Sequence, residues 1–320
     1  MNAKLVKKGS RLFFPYLIMV VNPELKKKSI NKKRKKKKTW RDRAFSIVWV
    51  TILLSSIGTL LYPSLSNMWN QYRNNQLSQK YDKKVRNISK ERLDYEWKKA
   101  KKYNKWHTFN YVKGHFGVKN YPLHDPYKSY LNITGDEIMG TVIIPKINIK
   151  LPIYHGLGAY ALSHGCGHIE GTSLPVGGKS SHCVLAAHRG LASAKLFTDL
   201  DKMKDGDIFY MKVLDRTLAY KVDDIKVVDP SDTKPIRIFK SKDYVTLLTC
   251  TPFGINTDRL LVRGHSVPIP KNAEKEISRV SWLTMDIVYR VLFAALIFIV
   301  IVLIAKVARK KKKTRETLKI

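Results

Sequence analysis

The sequence predicts a mainly β protein whose strands close into an eight-stranded barrel with short helices. From about residue 138 the apolar runs become short, and Gly, Pro, Asp and Lys clusters separate them. Eight such runs in a row are typical of a closed sheet, and one helical stretch, residues 192–203, interrupts them. The predicted strands are residues 139–145, 147–154, 182–188, 208–214, 217–223, 225–228, 244–250 and 259–264.

The strong positive charge lies outside the predicted barrel. The formal net charge is +35, of which residues 1–43 carry +14, residues 69–113 carry +9 and residues 306–320 carry +7. Only +5 remains for the rest of the chain, which includes the barrel. A nucleic-acid-binding domain would carry its basic charge on the folded domain, so no nucleic-acid partner is predicted.

Two apolar segments flank the predicted barrel, and both predict transmembrane helices. Residues 44–62 contain no charged residue and match the length of a bilayer span, and residues 287–308 form the second candidate. Runs of Lys and Arg lie outside both segments, which places both termini in the cytoplasm and residues 63–285 outside the cell membrane. A cleaved signal peptide is the alternative for the first segment, but no Ala-x-Ala-like site follows it.

A polar helical region precedes the barrel. Leu77, Tyr81, Val85 and Ile88 form one apolar stripe at helical spacing, and its phase changes near Arg92. This pattern predicts two helices, or one kinked helix, that hold the barrel away from the membrane.

The complete predicted organisation has eight segments. They are a basic cytoplasmic tail (1–43), a transmembrane helix (44–62), a helical stalk (63–113), a lid segment (114–137), the catalytic barrel (138–268), a linker (269–286), a second transmembrane helix (287–308) and a second basic cytoplasmic tail (309–320). Met19 is an alternative start of translation, which leaves open whether residues 1–18 are made.

One of the three cysteines is placed for catalysis. Cys250 ends an apolar strand, a turn with Pro252 and Gly254 follows, and Arg259 opens the next strand. A thiol at such a position can attack a carbonyl, and a nearby guanidinium can stabilise the oxyanion. Cys183 lies inside an apolar strand, where a buried structural role is expected.

His188 is the predicted acid–base partner of Cys250. It ends a strand as Cys250 does, and Gly190 allows the chain to turn away beyond it. A histidine two residues on either side of Cys166 raises the possibility of a metal site, but the spacing lacks a fourth ligand. No metal and no cofactor are therefore predicted, and that segment is expected to be a packed loop.

Longer motifs around these residues resemble the sortase family. The run TLLTC at 246–250 is similar to the family signature, and its continuation TPFGINTDRLLVRG at 251–264 resembles the class C, pilin-polymerising branch. LPIYHG at 151–156, GHIEGTSLPVGG at 167–178 and AHRGL at 187–191 show the same likeness.

The resemblance implies a reaction and a role for each residue. Cys250 is expected to attack the Thr–Gly carbonyl of a Leu-Pro-x-Thr-Gly-like sorting signal, with His188 as acid and base and Arg259 at the oxyanion. The thioester would pass to a lysine amine of a pilin subunit. Thr249 and Arg263 are expected to bind substrate or support the site, and Arg263 is the rival of Arg259.

Class C members also carry a lid, for which Asp125, Pro126 and Tyr127 are the candidates. Asp125 would pair with Arg259, and Tyr127 would cover Cys250. An ordinary Asp-Pro turn is the alternative.

Two other functions stay open. A sortase that anchors surface proteins to peptidoglycan would use the same chemistry, whereas a non-enzymatic scaffold would not require His188, Cys250 and Arg259 together. The predicted partners are pilin or surface proteins that carry a sorting signal, and the membrane.

Overall fold

The computed structural model describes residues 40–109 and 127–281, with isolated positions between 292 and 303. The two continuous described stretches contain four α-helices: α1 (Trp40–Arg86), α2 (Lys90–Phe109), α3 (Ala159–His164) and α4 (Ala273–Ser281). The strands are β1 (Ile138–Ile144), β2 (Ile149–His155), β3 (Cys166–His168), β4 (Ser181–Ala186), β5 (Ile208–Val213), β6 (Arg216–Val228), β7 (Asp243–Thr251) and β8 (Asp258–Val267).

These strands form a closed barrel in the order β1-β2-β3-β4-β7-β8-β6-β5. Most neighbours are antiparallel, but β4 runs parallel to β7 and β2 runs parallel to β3. The predicted eight-stranded closed barrel is confirmed. Closure leaves no free sheet edge among these strands, which removes a common route to aggregation.

Two strands differ from those predicted. β6 is one strand of 13 residues that joins the predicted strands 217–223 and 225–228, and a register shift between Val222 and Asp224 lies at the predicted gap. The glycine-rich stretch around Cys166, expected to be a loop, instead forms β3 between β2 and β4. The pattern concealed this strand because a three-residue strand is too short to show alternation.

The predicted helix at residues 192–203 is wrong. This stretch consists of turns that end in a single 3₁₀ turn, Leu200–Lys202. Its apolar side chains still serve the core, because Phe197 and Leu200 are fully buried. Phe197 and Leu200 are spaced as in a helix because both pack into the main core, although the backbone that carries them is not helical.

The helical region is two helices, separated by a break at residues 87–89. Tyr81 and Val85 on α1 and Trp97 and Tyr103 on α2 are buried. The hydroxyl of Tyr81 donates to the carbonyl of Met139 at 2.9 Å and accepts the N–H of Leu214 at 3.1 Å. These buried side chains hold the end of α1 and α2 against the barrel. The hydroxyl of Tyr81 keeps its hydrogen bonds although it is buried.

The chain divides into two units, residues 1–60 and residues 61–320, and α1 extends through the boundary. Within the described residues, no helix has the length and apolarity that a membrane crossing requires. Residues 1–39, residues 110–126 and most of the chain beyond residue 281 lie outside the described part. The basic tails, most of the predicted lid and nearly all of the second predicted span fall there.

Candidate active site

Cys250 lies on the outer face of the barrel wall. Side chains alternate between the two faces of a strand, so Leu248 and Cys250 share one face of β7 while Leu247 and Thr249 share the other. Leu247 belongs to the large barrel core, whereas Leu248 belongs to a separate apolar cluster outside it. The side chain of Cys250 therefore points away from the core. The residue is half-buried, and its thiol is not part of a disulfide.

Arg259 is the direct cross-strand neighbour of Cys250. The two residues are paired in the antiparallel ladder of β7 and β8, which puts their β-carbons about 5 Å apart. The Nη1 atom of Arg259 donates to the carbonyls of Asn256 at 3.1 Å and Asp258 at 3.0 Å. These backbone carbonyls thus hold the guanidinium of the residue that lies directly across from Cys250.

The parallel ladder of β4 and β7 brings His188 to the level of Cys250. Ala186 is paired with Leu248, and the next rung is the bond from the Ala187 N–H to the Leu248 carbonyl at 3.1 Å. Two residues beyond the Ala186–Leu248 pair, the chain reaches Cys250 within β7 and His188 just after β4. The expectation that His188 ends the strand is wrong by two residues, because β4 ends at Ala186. His188 is exposed, and its backbone carbonyl accepts the N–H of Phe197 at 3.1 Å.

Thr249 supports the site from inside the barrel wall. Its side chain is buried, and its hydroxyl donates to the carbonyl of Ala187 at 2.8 Å. This bond joins the residue before His188 to the residue before Cys250. Because it faces the interior, Thr249 can align the two strands but cannot touch a peptide on the outer face.

Arg263 is held away from the thiol. It is paired with Thr246, four residues along β8 from Arg259, or about 13 Å of strand. Its guanidinium contacts Asp223 at 3.0 Å and lies 4.3 Å from the ring centroid of Tyr244. Of the two candidate arginines, the structure brings Arg259 to Cys250.

An apolar cluster adjoins the row formed by His188, Cys250 and Arg259. One residue pair further along the strands, the same face carries Ala186, Leu248 and Leu261. Ile236, from the segment between β6 and β7, packs against them, and these residues are buried. Ile169 and Val228 are partly buried at the edge of the cluster, and Val228 is paired with Arg259. The apolar side chains within reach of a peptide at the thiol are therefore those at this edge.

His182 fastens the segment between β6 and β7 to the barrel. Its Nδ1 lies 2.7 Å from the carbonyl of Arg237, and its Nε2 lies 2.7 Å from the hydroxyl of Thr246. Burial lowers the pKa of His182 to about 4, so the ring is neutral at physiological pH. The neutral ring donates from Nδ1 and accepts at Nε2, which satisfies both partners.

The other two cysteines are structural. Cys166 and Cys183 are free and buried, and burial raises the pKa of both thiols well above the ordinary range. The thiol of Cys166 donates to the carbonyl of Pro152 at 3.5 Å. Neither thiol is suited to nucleophilic attack, because the reactive form is the thiolate.

Tyr127 occupies a different place from the one predicted. Its side chain is buried, and its hydroxyl lies 2.8 Å from Nδ1 of His168 and accepts the N–H of Gly156 at 3.1 Å. Its ring packs edge-on against His155. These contacts hold Tyr127 against β2 and β3 rather than over Cys250. A buried hydroxyl requires hydrogen-bond partners, and here His168 on β3 and Gly156 after β2 supply them. Asp125 and Pro126 lie outside the described residues.

Arg189, which directly follows His188, was given no role from the sequence. Its Nη1 donates to the hydroxyl of Thr251 at 2.9 Å, and its Nη2 bonds the carboxylate of Asp201. The sequence showed only that a charged residue stands next to a candidate catalytic histidine. Its partners lie 12 and 62 positions away, so only the fold reveals them.

Similar proteins share the barrel. Residues 142–267 match the sortase domain family. Sortase C1 from Streptococcus agalactiae is 45% identical, with a TM-score of 0.57 over 60% of this chain and 98% of that chain. For Streptococcus pneumoniae sortase C, the identity is 44% and the TM-score 0.52, over 60% and 97% of the two chains.

A structure of Clostridium perfringens sortase C with its C-terminal cell wall sorting motif is 47% identical, with a TM-score of 0.53 over 60% of this chain and 98% of that chain. Among curated relatives, sortase A of Streptococcus agalactiae is 30% identical over 131 residues, 40% of this chain. The chain spans 52% of that relative's length.

The barrel brings a cysteine, a histidine and an arginine to one end of neighbouring strands, an arrangement that suits cysteine-dependent acyl transfer. This chain belongs to the sortase family. Its similarity to three sortase C structures supports the class C branch.

His182 predicts a loss of stability in mild acid. Its pKa is about 4 in the folded protein and about 6.5 in an unfolded chain, so between these values only the unfolded state takes up the proton. The free energy of unfolding is therefore fully retained above pH 6.5 and falls by up to about 3 kcal/mol on acidification to pH 4.

Urea unfolding across this pH range tests the prediction, with His182→Gln as the comparison. Glutamine can donate to Arg237 and accept from Thr246 but does not titrate, so the variant should lose less stability between pH 6.5 and pH 4. Some slope should remain, because burial also lowers the pKa of His155. Equal slopes in the two proteins would contradict the assignment.

Proposed function

We propose that this chain is a membrane-anchored cysteine transpeptidase that polymerises pilins. It would cleave a Leu-Pro-x-Thr-Gly-like sorting signal between Thr and Gly and join the new carboxyl end to a lysine of the next pilin subunit. The observation that carries the proposal is the pairing of Cys250 with Arg259 on the outer face of the barrel, with His188 at the same level.

The first half of the reaction forms a thioester. Cys250 passes its proton to His188, and its sulfur attacks the threonine carbonyl. The guanidinium of Arg259 stabilises the negative oxygen of the tetrahedral intermediate. The carbon–nitrogen bond then breaks, and His188 gives a proton to the departing glycine amine. The acyl group remains bound to the sulfur.

The second half moves the acyl group to an amine. A lysine amine of the acceptor attacks the thioester carbon and gives its proton to His188. The carbon–sulfur bond breaks, Cys250 regains the thiolate, and an isopeptide bond remains. Transfer to an amine rather than to water conserves the energy of the original peptide bond in the product.

The edge of the apolar cluster beside the thiol fits the start of the signal. The partly buried Ile169 and Val228 would contact the leucine and proline, which leaves the threonine carbonyl at the row of His188, Cys250 and Arg259. The similarity to a sortase C structure that contains a C-terminal cell wall sorting motif supports this placement.

Pilus assembly is favoured over attachment of single proteins to peptidoglycan. The structure of the similar Streptococcus pneumoniae sortase C is described in terms of pilin substrate specificity. The likeness of this chain to several sortase C structures, at 44–47% identity, supports the same class of substrate.

The proposal includes a location in the cell membrane, with the barrel outside. Its support is the charge-free stretch at residues 44–62, the second apolar stretch at 287–308 and the basic runs beyond each. Within α1, the hydroxyls of Thr51, Ser56 and Thr59 donate to carbonyls four residues earlier. Such internal bonds remove polar groups that lipid could not solvate.

Replacement of the nucleophile tests the reaction. Cys250→Ala should abolish the ladder of covalent pilin polymers on immunoblots of cell walls, because no thioester can form without the sulfur. Cys166→Ala is the matched control, since this buried thiol lies away from the site, and it should leave the ladder intact.

Unchanged ladders in Cys250→Ala cells would refute the proposed role. Ladders that persist while a monomeric surface protein disappears from the wall would instead support attachment to peptidoglycan.

Labelling of intact cells tests the location. A membrane-impermeant maleimide should label the wild-type protein without lysis and should not label Cys250→Ala, because Cys166 and Cys183 are buried. Labelling that appears only after lysis would contradict an extracytoplasmic barrel.

A further inference from the structure

Two consecutive residues after His188 contact the chain just after Cys250. Arg189 donates from Nη1 to the hydroxyl of Thr251 at 2.9 Å. The next residue, Gly190, lies against the ring of Phe253, so close that an added β-carbon would be 3.0 Å from its Cε2 atom. The histidine-bearing loop and the end of the cysteine-bearing strand are therefore joined by one polar and one packed contact.

Gly190 permits this close approach. Its φ angle is +76°, a conformation that residues with a β-carbon rarely adopt. Its N–H donates to the hydroxyl of Thr198 at 3.1 Å, and the carbonyl of His188 accepts the N–H of Phe197. These two bonds tie the loop to Phe197 and Thr198, and the Arg189 side chain extends from it to Thr251 on β7.

Stability does not explain why Arg189 is buried. Its side chain is only 9% exposed, and its charge is paired with Asp201, whose side chain is 47% exposed. Its Nε atom is buried and has no hydrogen-bond partner within the described part of the chain. A buried guanidinium with an unsatisfied donor stabilises a fold less than an apolar side chain of similar volume would.

We propose that Arg189 is a positioning residue that fixes His188 relative to Cys250 through its bond to Thr251. Arg189 directly follows His188 in the chain, and its guanidinium bonds Thr251, which directly follows Cys250. The hydrogen bond between Arg189 and Thr251 therefore links the segment of the acid–base group to the segment of the nucleophile. Asp201 orients the guanidinium from the other side. The inference rests on the proposed function for the partnership of His188 with Cys250.

Three variants separate geometry from charge. Arg189→Gln removes both the charge and the planar fork. Arg189→Lys keeps the charge but cannot reach Thr251 and Asp201 together. Thr251→Val removes the acceptor with little change of shape and leaves the bond between Arg189 and Asp201. All three should impair the site if geometry matters.

The first readout needs no substrate. In the full-length protein, the rate of Cys250 alkylation by iodoacetamide at neutral pH reports the partnership with His188. Each variant should slow it by about tenfold, as should His188→Ala. The double variant His188→Ala, Arg189→Gln should be no slower than His188→Ala, because Arg189 acts through the histidine.

The second readout uses a Leu-Pro-x-Thr-Gly-like peptide. The variants should lower kcat with little change of KM, because Arg189 acts through His188 and its guanidinium is already bonded to Thr251 and Asp201. Arg216→Gln is the control for loss of a bonded arginine elsewhere, since Arg216 bonds Asp94 and stacks on Trp97. It should keep wild-type alkylation and turnover even if its thermal midpoint falls.

Additive losses in the double variant would overturn the proposal, as would wild-type rates in Arg189→Lys and Thr251→Val. An alkylation rate in His188→Ala equal to that of the wild type would also overturn it, since no partnership would exist to be positioned. Non-additive alkylation together with absent peptide turnover in the wild type would refute the transpeptidase and leave the positioning role standing.

Discussion

The site depends on the register that β7 keeps with its two neighbours. The parallel ladder with β4 brings His188 level with Cys250, and the antiparallel ladder with β8 sets Arg259 opposite Cys250. A shift of one residue in the ladder with β4 would move the thiol relative to His188, and a shift in the ladder with β8 would move it relative to Arg259. A slip of β7 as a whole would also turn Cys250 toward the core.

The barrel interior holds that register in place. Val245 and Leu247 are fully buried on the inner face of β7, and a slip of one residue would turn both away from the core. Polar bonds reinforce the same alignment: Thr249 bonds the carbonyl of Ala187, and His182 bonds Thr246. The core therefore does more than stabilise the fold, because its packing fixes the spacing of three chemically active side chains.

The sequence predicted the parts of this arrangement that depend on local pattern. Short alternating or continuous apolar runs predicted seven of the eight strands, and a cysteine at a strand end with an arginine nine positions later predicted the pair of Cys250 and Arg259. β3 was not foreseen because three residues carry no period, and residues 192–203 imitated a helix through the spacing of Phe197 and Leu200. Tyr127 was assigned to a lid, yet its role is set by His168, 41 positions away. Long-range partners of this kind, like those of Arg189, leave no local signal.

The central claim is that Cys250 carries the substrate as a thioester. Full-length protein incubated with a Leu-Pro-x-Thr-Gly-like peptide, without an amine acceptor, can be acid-quenched, digested and analysed by mass spectrometry. The account predicts an adduct of the fragment that ends in threonine on the peptide containing Cys250, and neutral hydroxylamine should remove it. Cleavage of the peptide with no adduct at any quench time, or an adduct on another residue, would contradict the account.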